Sequence, residues 1–90
     1  MSAELTDFVP EDRTITMFST DWCGYCKRLK KMLDSEGIGY VEIDIEHTPC
    51  TEDLVKQING GNAVVPTVVY PDRSTATNPS LGDVKQQLAV

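Results

Sequence analysis

A β-branched apolar run, TITMF at residues 14–18, is followed by a helical pattern from Gly24 to Glu36 and then by a strictly alternating run, YVEIDIE at 40–46. This succession constrains the chain more than any other feature. The first run reads as a buried strand. In the helical stretch Leu29, Met32 and Leu33 share one face, Lys27, Lys30 and Lys31 lie on others, and Gly37 supplies a stop. In the alternating run Val41, Ile43 and Ile45 face one way and Glu42, Asp44 and Glu46 the other, as in an edge strand guarded by charge. Strand, helix and strand in that order form a right-handed crossover with the two strands parallel.

The remaining elements follow by the same reasoning. Thr48 reads as a helix N-cap, with Pro49 in the first position, Cys50 in the second, and Glu52 and Asp53 in the first turn. That helix runs to about Ile58 and stops at Asn59-Gly60-Gly61. VVPTVVY (64–70) is a strand, Pro71-Asp72 a turn, and RSTAT (73–77) a short polar strand. Asn78-Pro79 opens a last helix with Leu81, Val84 and Leu88 inward. The order βαβαββα predicts an α/β domain with a four-stranded mixed sheet and three helices. Ninety residues support a single core. Residues 1–13 read as a partly mobile leader and 14–90 as the domain.

A net charge of −6 argues against nonspecific nucleic-acid binding. The acidic N-terminal stretch is not a secretory signal, and no run is long enough to span a bilayer, so the expectation is a cytoplasmic chain without membrane contact. Three cysteines in that setting point to redox or metal chemistry before structural disulfides.

Cys23 and Cys26 fall where the first strand gives way to the first helix, and Lys27, Arg28, Lys30 and Lys31 follow at once, half of the eight basic residues in the chain. First-turn amides lack backbone partners and favour an anion. A Cys23 thiolate there accepts from the Cys26 N–H, and the basic residues add a positive field that salt screens, against the opposing charge of Asp21. The expectation is a depressed pKa for Cys23 and a more buried, less acidic Cys26 that resolves a mixed disulfide on Cys23. Lowering a thiol pKa from about 8.5 to about 6 raises the thiolate fraction at neutrality roughly 30-fold. With a Brønsted slope of about 0.45 each thiolate is ~13-fold weaker, so attack gains only about twofold, and the larger benefit is a better leaving group.

Two other readings use the same residues. Cys23, Cys26, His47 and Cys50 have the spacing of a four-ligand zinc site, since both pairs follow parallel strands and share an edge of the sheet. A cluster shared between two protomers through Cys23 is the other carrier reading. The expectation is no metal ligand, with Cys50 a bystander.

Trp22-Cys23-Gly24-Tyr25-Cys26, the D-I-E-H ending at 44–47, Asn59-Gly60-Gly61-Asn62, V-V-P-T-V at 64–68 and T-N-P-S at 77–80 together resemble the glutaredoxins, and within them the actinobacterial mycoredoxins, over about residues 14–90. The resemblance implies a thioredoxin-like fold and a disulfide reductase with Cys23 as nucleophile. It implies a cis Val65–Pro66 bond that turns the Val65 backbone toward a bound thiol, and substrate contacts from Trp22, Tyr25, Val65, Pro66, Thr77, Asn78 and Ser80. Glutathione-using members usually carry a lysine three positions before the first cysteine and a Gly-Gly with a nearby Asp before the last helix. Here those places read Thr20 and T-N-P-S-L-G-D (77–83). Mycothiol, a cysteine joined to an aminosugar and inositol, lacks the carboxylates those features hold, and its hydroxyls suit Thr77, Asn78 and Ser80. The implied co-substrate is therefore mycothiol before glutathione, with no tightly bound cofactor. The implied partners are thiolated or disulfide-bonded proteins, and the implied state is a monomer. Reduction of protein disulfides through both cysteines is the alternative enzyme reading.

Overall fold

A computed structural model describes residues 3–90. Its elements are β1 (Ile15–Ser19), α1 (Gly24–Ser35), β2 (Tyr40–Asp44), α2 (Thr51–Ile58), β3 (Thr67–Val69), β4 (Thr75–Thr77) and α3 (Leu81–Leu88). A 3-10 turn at Leu5–Phe8 precedes them. The sheet order is β2-β1-β3-β4, with β1 parallel to β2 and antiparallel to β3, and β3 antiparallel to β4. This is the four-stranded mixed sheet with three helices that the element order predicts.

Every residue of β1 is buried because both sheet faces are covered. On one face Ile15, Met17 and Val68 pack with Leu29 and Leu33 of α1 and Val84 and Leu88 of α3. On the other, Phe18 and Val69 pack with Ile45 and with Leu54 and Val55 of α2. The N-terminal segment joins this second layer. Phe8 meets Phe18 edge-on at 5.3 Å between ring centroids, and the Thr16 hydroxyl donates to the Phe8 carbonyl at 2.6 Å. Gly37, with φ +68°, lets the Ile38 N–H reach the Leu33 carbonyl at 3.0 Å and so ends α1.

Four local expectations are corrected. β2 ends at Asp44, short of residue 46, because the Ile45 N–H makes a last bond to Ser19 and the chain then turns on Asp44. The carbonyl of Asp44 accepts from the His47 and Thr48 amides, and its carboxylate accepts from the Glu46 N–H at 2.9 Å. Consequently α2 starts at Thr51, with Cys50 preceding the helix at φ 68° in place of Thr48 as the cap. Along β2, Val41 is 54% exposed while Ile45 is buried, since the α2 layer covers only the later part of this edge strand. Glu42 in turn does not guard the edge. It accepts from the Ser19 hydroxyl at 2.7 Å and pairs with Lys30 of α1 at 3.0 Å. Burial pushes the Glu42 carboxyl up, but the Ser19 and Lys30 bonds outweigh it and hold the pKa below its ordinary value.

Phe8→Ala removes the edge-on contact with Phe18 and part of the second layer. The expected loss is about 2 kcal/mol, given the larger costs seen when fully buried aromatics are truncated. Urea unfolding of the variant beside the parent checks it.

Candidate active site

The C-terminal end of β1 leads through Thr20 and Asp21 into α1. The turn is closed by the Cys23 N–H donating to the Thr20 carbonyl at 3.3 Å. Cys23 caps α1, its sulfur accepting from the Cys26 N–H at 3.1 Å. Cys23 and Cys26 form a disulfide, with 5.3 Å between their Cα atoms. Cys26 is 1% exposed and Cys23 4%, so the second thiol lies deeper, one helical turn in. On either side Trp22 and Tyr25 stand out at 69% and 64% exposed. The site thus offers a sulfur at a helix start between two projecting aromatic rings.

The loop before β3 runs beside the end of β1, because Phe18 stands opposite Thr67. The Val65–Pro66 peptide bond is cis, as the resemblance implies. The Pro66 carbonyl accepts from the Asn78 N–H at 2.7 Å, which ties this loop to the start of the last helical segment. Asn78 has φ 48°, and α3 begins three residues later at Leu81, with Ser80 as its cap. The Ser80 hydroxyl accepts from the Asp83 N–H at 3.1 Å, and the Ser80 N–H donates to the Asp83 carboxylate at 3.2 Å. Asn78-Pro79 therefore precedes the helix and does not open it. A hollow of about 260 Å³ lies between Tyr25, Arg28 and Met32 of α1 and Asn78, Pro79 and Ser80.

Thr77 is placed differently from its neighbours. Its hydroxyl donates to the Asn59 side-chain oxygen. The Asn59 amide in turn donates to the Val55 carbonyl at 3.0 Å and to the Thr67 hydroxyl at 3.0 Å, and Thr67 donates to the Val64 carbonyl at 2.7 Å. This chain of bonds links the end of α2, the cis-proline loop and β4. Sequence reasoning saw Asn59 only as a helix stop, and its bracing role has no sequence signal beyond an amide beside two glycines. Arg28 and Met32 were also missed as lining residues. Their spacing of three and seven residues from Tyr25 is the signal that finds them, because one helical face carries all three.

The other flank is acidic. The Trp22 indole N–H donates to the Glu46 carboxylate at 3.2 Å, and His47 Nδ1 meets Asp44 Oδ2 at 2.8 Å. Among the described residues, Asp21, Asp44 and His47 bring their ligand atoms within 4.8 Å of one another. The cysteine–histidine set of the zinc reading is not gathered in this way, because His47 turns to Asp44 while Cys23 and Cys26 are bonded to each other. Of the basic residues in α1, Lys30 is committed to Glu42.

The comparisons with known proteins agree with this geometry. The sequence profile of the Glutaredoxin family matches residues 15–74. The chain belongs to the glutaredoxin family. It is 50% identical over 74 residues to a Mycobacterium tuberculosis protein named as a glutaredoxin, covering 82% of this chain and 88% of that one. It is 44% identical over 70 residues to mycoredoxin 1 of Corynebacterium glutamicum, covering 78% and 86%. A glutaredoxin structure from Archaeoglobus fulgidus superposes with a TM-score of 0.72 at 22% identity over 98% of both chains, which shows the shared thioredoxin-like fold. The protein is accordingly a thiol–disulfide oxidoreductase that works on thiols and disulfides, with a small thiol as co-substrate. Among the described residues no helix is long and apolar enough to cross a membrane.

The His47 pKa is raised by the hydrogen bond to Asp44 and the attraction of that carboxylate, with Asp21 and Glu46 adding to it, and Asp44 is lowered by the His47 bond and the Glu46 amide. The signs define a window. A depressed Asp contributes stability above its unfolded pKa of about 3.9 and loses it as pH falls through the folded value. A raised His contributes below its unfolded pKa of about 6.5 and loses it as pH climbs through the folded value. The pair therefore stabilises most between about pH 4 and 6.5. Asp44→Asn is expected to bring the His47 titration down toward the ordinary imidazole range and to weaken this pH dependence, with Asp21 and Glu46 still acting on the ring, as followed by NMR of the single imidazole.

Proposed function

We propose that this glutaredoxin reduces mixed disulfides between proteins and mycothiol, with Cys23 as the nucleophile. The Cys23 thiolate attacks the small-thiol sulfur of the mixed disulfide. A bond forms between the two sulfurs, and the target protein leaves as a thiolate that takes up a proton. A second mycothiol thiolate then attacks the sulfur carried on Cys23, releasing the symmetrical disulfide and restoring the Cys23 thiolate. The cycle exchanges one disulfide for another: it consumes one free small-thiol molecule and releases one protein thiol and one symmetrical disulfide, and Cys26 is not required for it.

The observation that carries this reading is the placement of Cys23 at the head of α1, accepting from the Cys26 amide, on the same helix whose Tyr25, Arg28 and Met32 line a hollow with Asn78 and Ser80. Tyr25 offers a face to a sugar ring. Asn78 and Ser80 offer hydrogen-bonding groups to its hydroxyls, and Trp22 flanks the sulfur. The Val65 backbone beside Pro66 pairs with the cysteine portion of the thiol. Thr77 contributes indirectly, through Asn59, by holding the loop. Thr20 stands where glutathione-using relatives carry lysine, and the similarity to a mycoredoxin supports the same choice of thiol. The reducing work would lie in the cytoplasm, with the protein acting as a monomer.

The bonded Cys23–Cys26 pair favours a second reading. In it the Cys26 thiolate attacks the sulfur of Cys23 in a mixed disulfide, closing the intramolecular disulfide and expelling the partner thiol. This route reduces ordinary protein disulfides.

Cys23→Ser is expected to abolish reduction of a mycothiol mixed disulfide, and Cys26→Ser to retain it. With mycothiol as the regenerating thiol, turnover is expected to exceed that with glutathione by about tenfold or more, the worth of one well-placed hydrogen bond. Steady-state assays with each thiol check both points. Loss of turnover in Cys26→Ser replaces the first route by the second, and a preference for glutathione overturns the choice of thiol.

A further inference from the structure

Buried hydroxyl groups around β1 find partners with one exception. Thr16 donates to the Phe8 carbonyl, Ser19 to Glu42, Thr51 to the Thr48 carbonyl and Thr67 to the Val64 carbonyl, all within 2.6–2.7 Å. Thr20 is only 6% exposed, and its Oγ1 is sealed from solvent with no partner among the described residues. An unpaired buried hydroxyl is a standing cost that folded proteins rarely carry, so its presence calls for a state in which it is satisfied. The position narrows that state. The Thr20 carbonyl accepts the Cys23 N–H, which places residue 20 at the base of the redox turn. The state in which Thr20 lacks a partner is the disulfide, where the Cys23 sulfur is neutral and bonded to Cys26.

We propose that Thr20 is a thiolate-stabilising donor: when the disulfide is reduced, its hydroxyl donates to the Cys23 sulfur alongside the Cys26 N–H. A sulfur released from the disulfide gains a full negative charge and lone pairs that seek donors. Charged acceptors draw stronger hydrogen bonds than neutral ones. In the disulfide the Thr20 hydroxyl makes no bond to the Cys23 sulfur, so the contact forms only as that sulfur moves away from Cys26 on reduction. The unsatisfied donor thereby destabilises the disulfide form and stabilises the reduced form. Charge near the turn does not do this work unaided. Asp21 in the turn opposes a thiolate, Asp44 and Glu46 flank the same side, and His47 and Lys30 are paired with Asp44 and Glu42. Lys27, Arg28 and Lys31 remain on the α1 surface, where salt screens them. A short-range donor compensates where the long-range field is divided.

The inference rests on Cys23 being the ionised nucleophile. Its test is the Cys23 titration in the reduced full-length protein, followed by thiolate absorbance, in the parent and in Thr20→Val and Thr20→Ser. Valine keeps the shape and removes the donor. Thr20→Val is expected to raise the Cys23 pKa by about one unit, a tenfold change in ionisation. It is also expected to shift the dithiol–disulfide equilibrium against a small-thiol buffer toward the disulfide by about the same factor. Thr20→Ser is expected to restore both. Equal titrations in parent and Thr20→Val, with unchanged equilibrium, overturn the proposal and leave Thr20 a packing residue. An ordinary Cys23 pKa in the parent itself would instead defeat the reading of Cys23 on which it rests. Circular dichroism of each reduced variant confirms that the comparison is between folded proteins.

Discussion

The bond from the Cys26 amide to the Cys23 sulfur, 3.1 Å long, is the contact on which the chemistry of this fold depends. It exists because α1 starts at Gly24 and leaves its first amides without backbone partners. The start of α1 is in turn fixed by β1, an interior strand that is buried along its whole length and delivers the chain to one point at the end of the sheet. A cap made by serine would stabilise the helix as well. A cap made by sulfur does so while placing a nucleophile where negative charge is favoured. Structural and chemical requirements coincide on one side chain.

The surroundings divide into a side that binds and a side that braces. Tyr25, Arg28, Asn78 and Ser80 border an open hollow, where side chains with polar and aromatic character meet a ligand. The acidic turn at 44–47 and the Asn59 relay are occupied internally, holding Trp22 and the cis-proline loop in place. Electrostatics near the sulfur are mixed rather than uniformly positive. The basic residues of α1 look at first like a field aimed at Cys23, yet Lys30 is neutralised by Glu42, and carboxylates of Asp21 and Asp44 lie nearby. Short hydrogen bonds therefore matter more here than net charge, because their effect is not screened by salt.

Much of this was legible in the sequence, for identifiable reasons. The strand and helix assignments rest on periodicity, and the crossover rule then orders β1, α1 and β2. The position of Cys23 and Cys26 at the strand–helix junction follows from those two facts alone, and the cis bond at Pro66 from family resemblance. Periodicity failed where burial is not uniform along an element. Val41 alternates with Ile43 and Ile45 but lies where no helix covers the strand. Glu42 reads as a solvated charge, yet it lies against α1 and pairs there with Lys30. The start of α2 was misplaced because Thr48-Pro49 has the composition of a helix cap, while the tertiary demand to close the turn on Asp44 delays the helix to Thr51. Thr77 and Thr20 were beyond sequence reasoning, since a hydroxyl's partner depends on which segments the fold brings together.

The central claim is that Cys23 is the ionised and reachable thiol of this chain once its disulfide is reduced. The most direct measurement is site-resolved alkylation: the reduced protein is pulsed with iodoacetamide across a pH series, and modification of Cys23, Cys26 and Cys50 is quantified by peptide mass spectrometry. The account predicts that Cys23 is labelled first at every pH, with its rate reaching half-maximum below neutrality. Faster labelling of Cys50 at neutral pH, or a Cys23 midpoint near the free-thiol value of about 8.5, would contradict it.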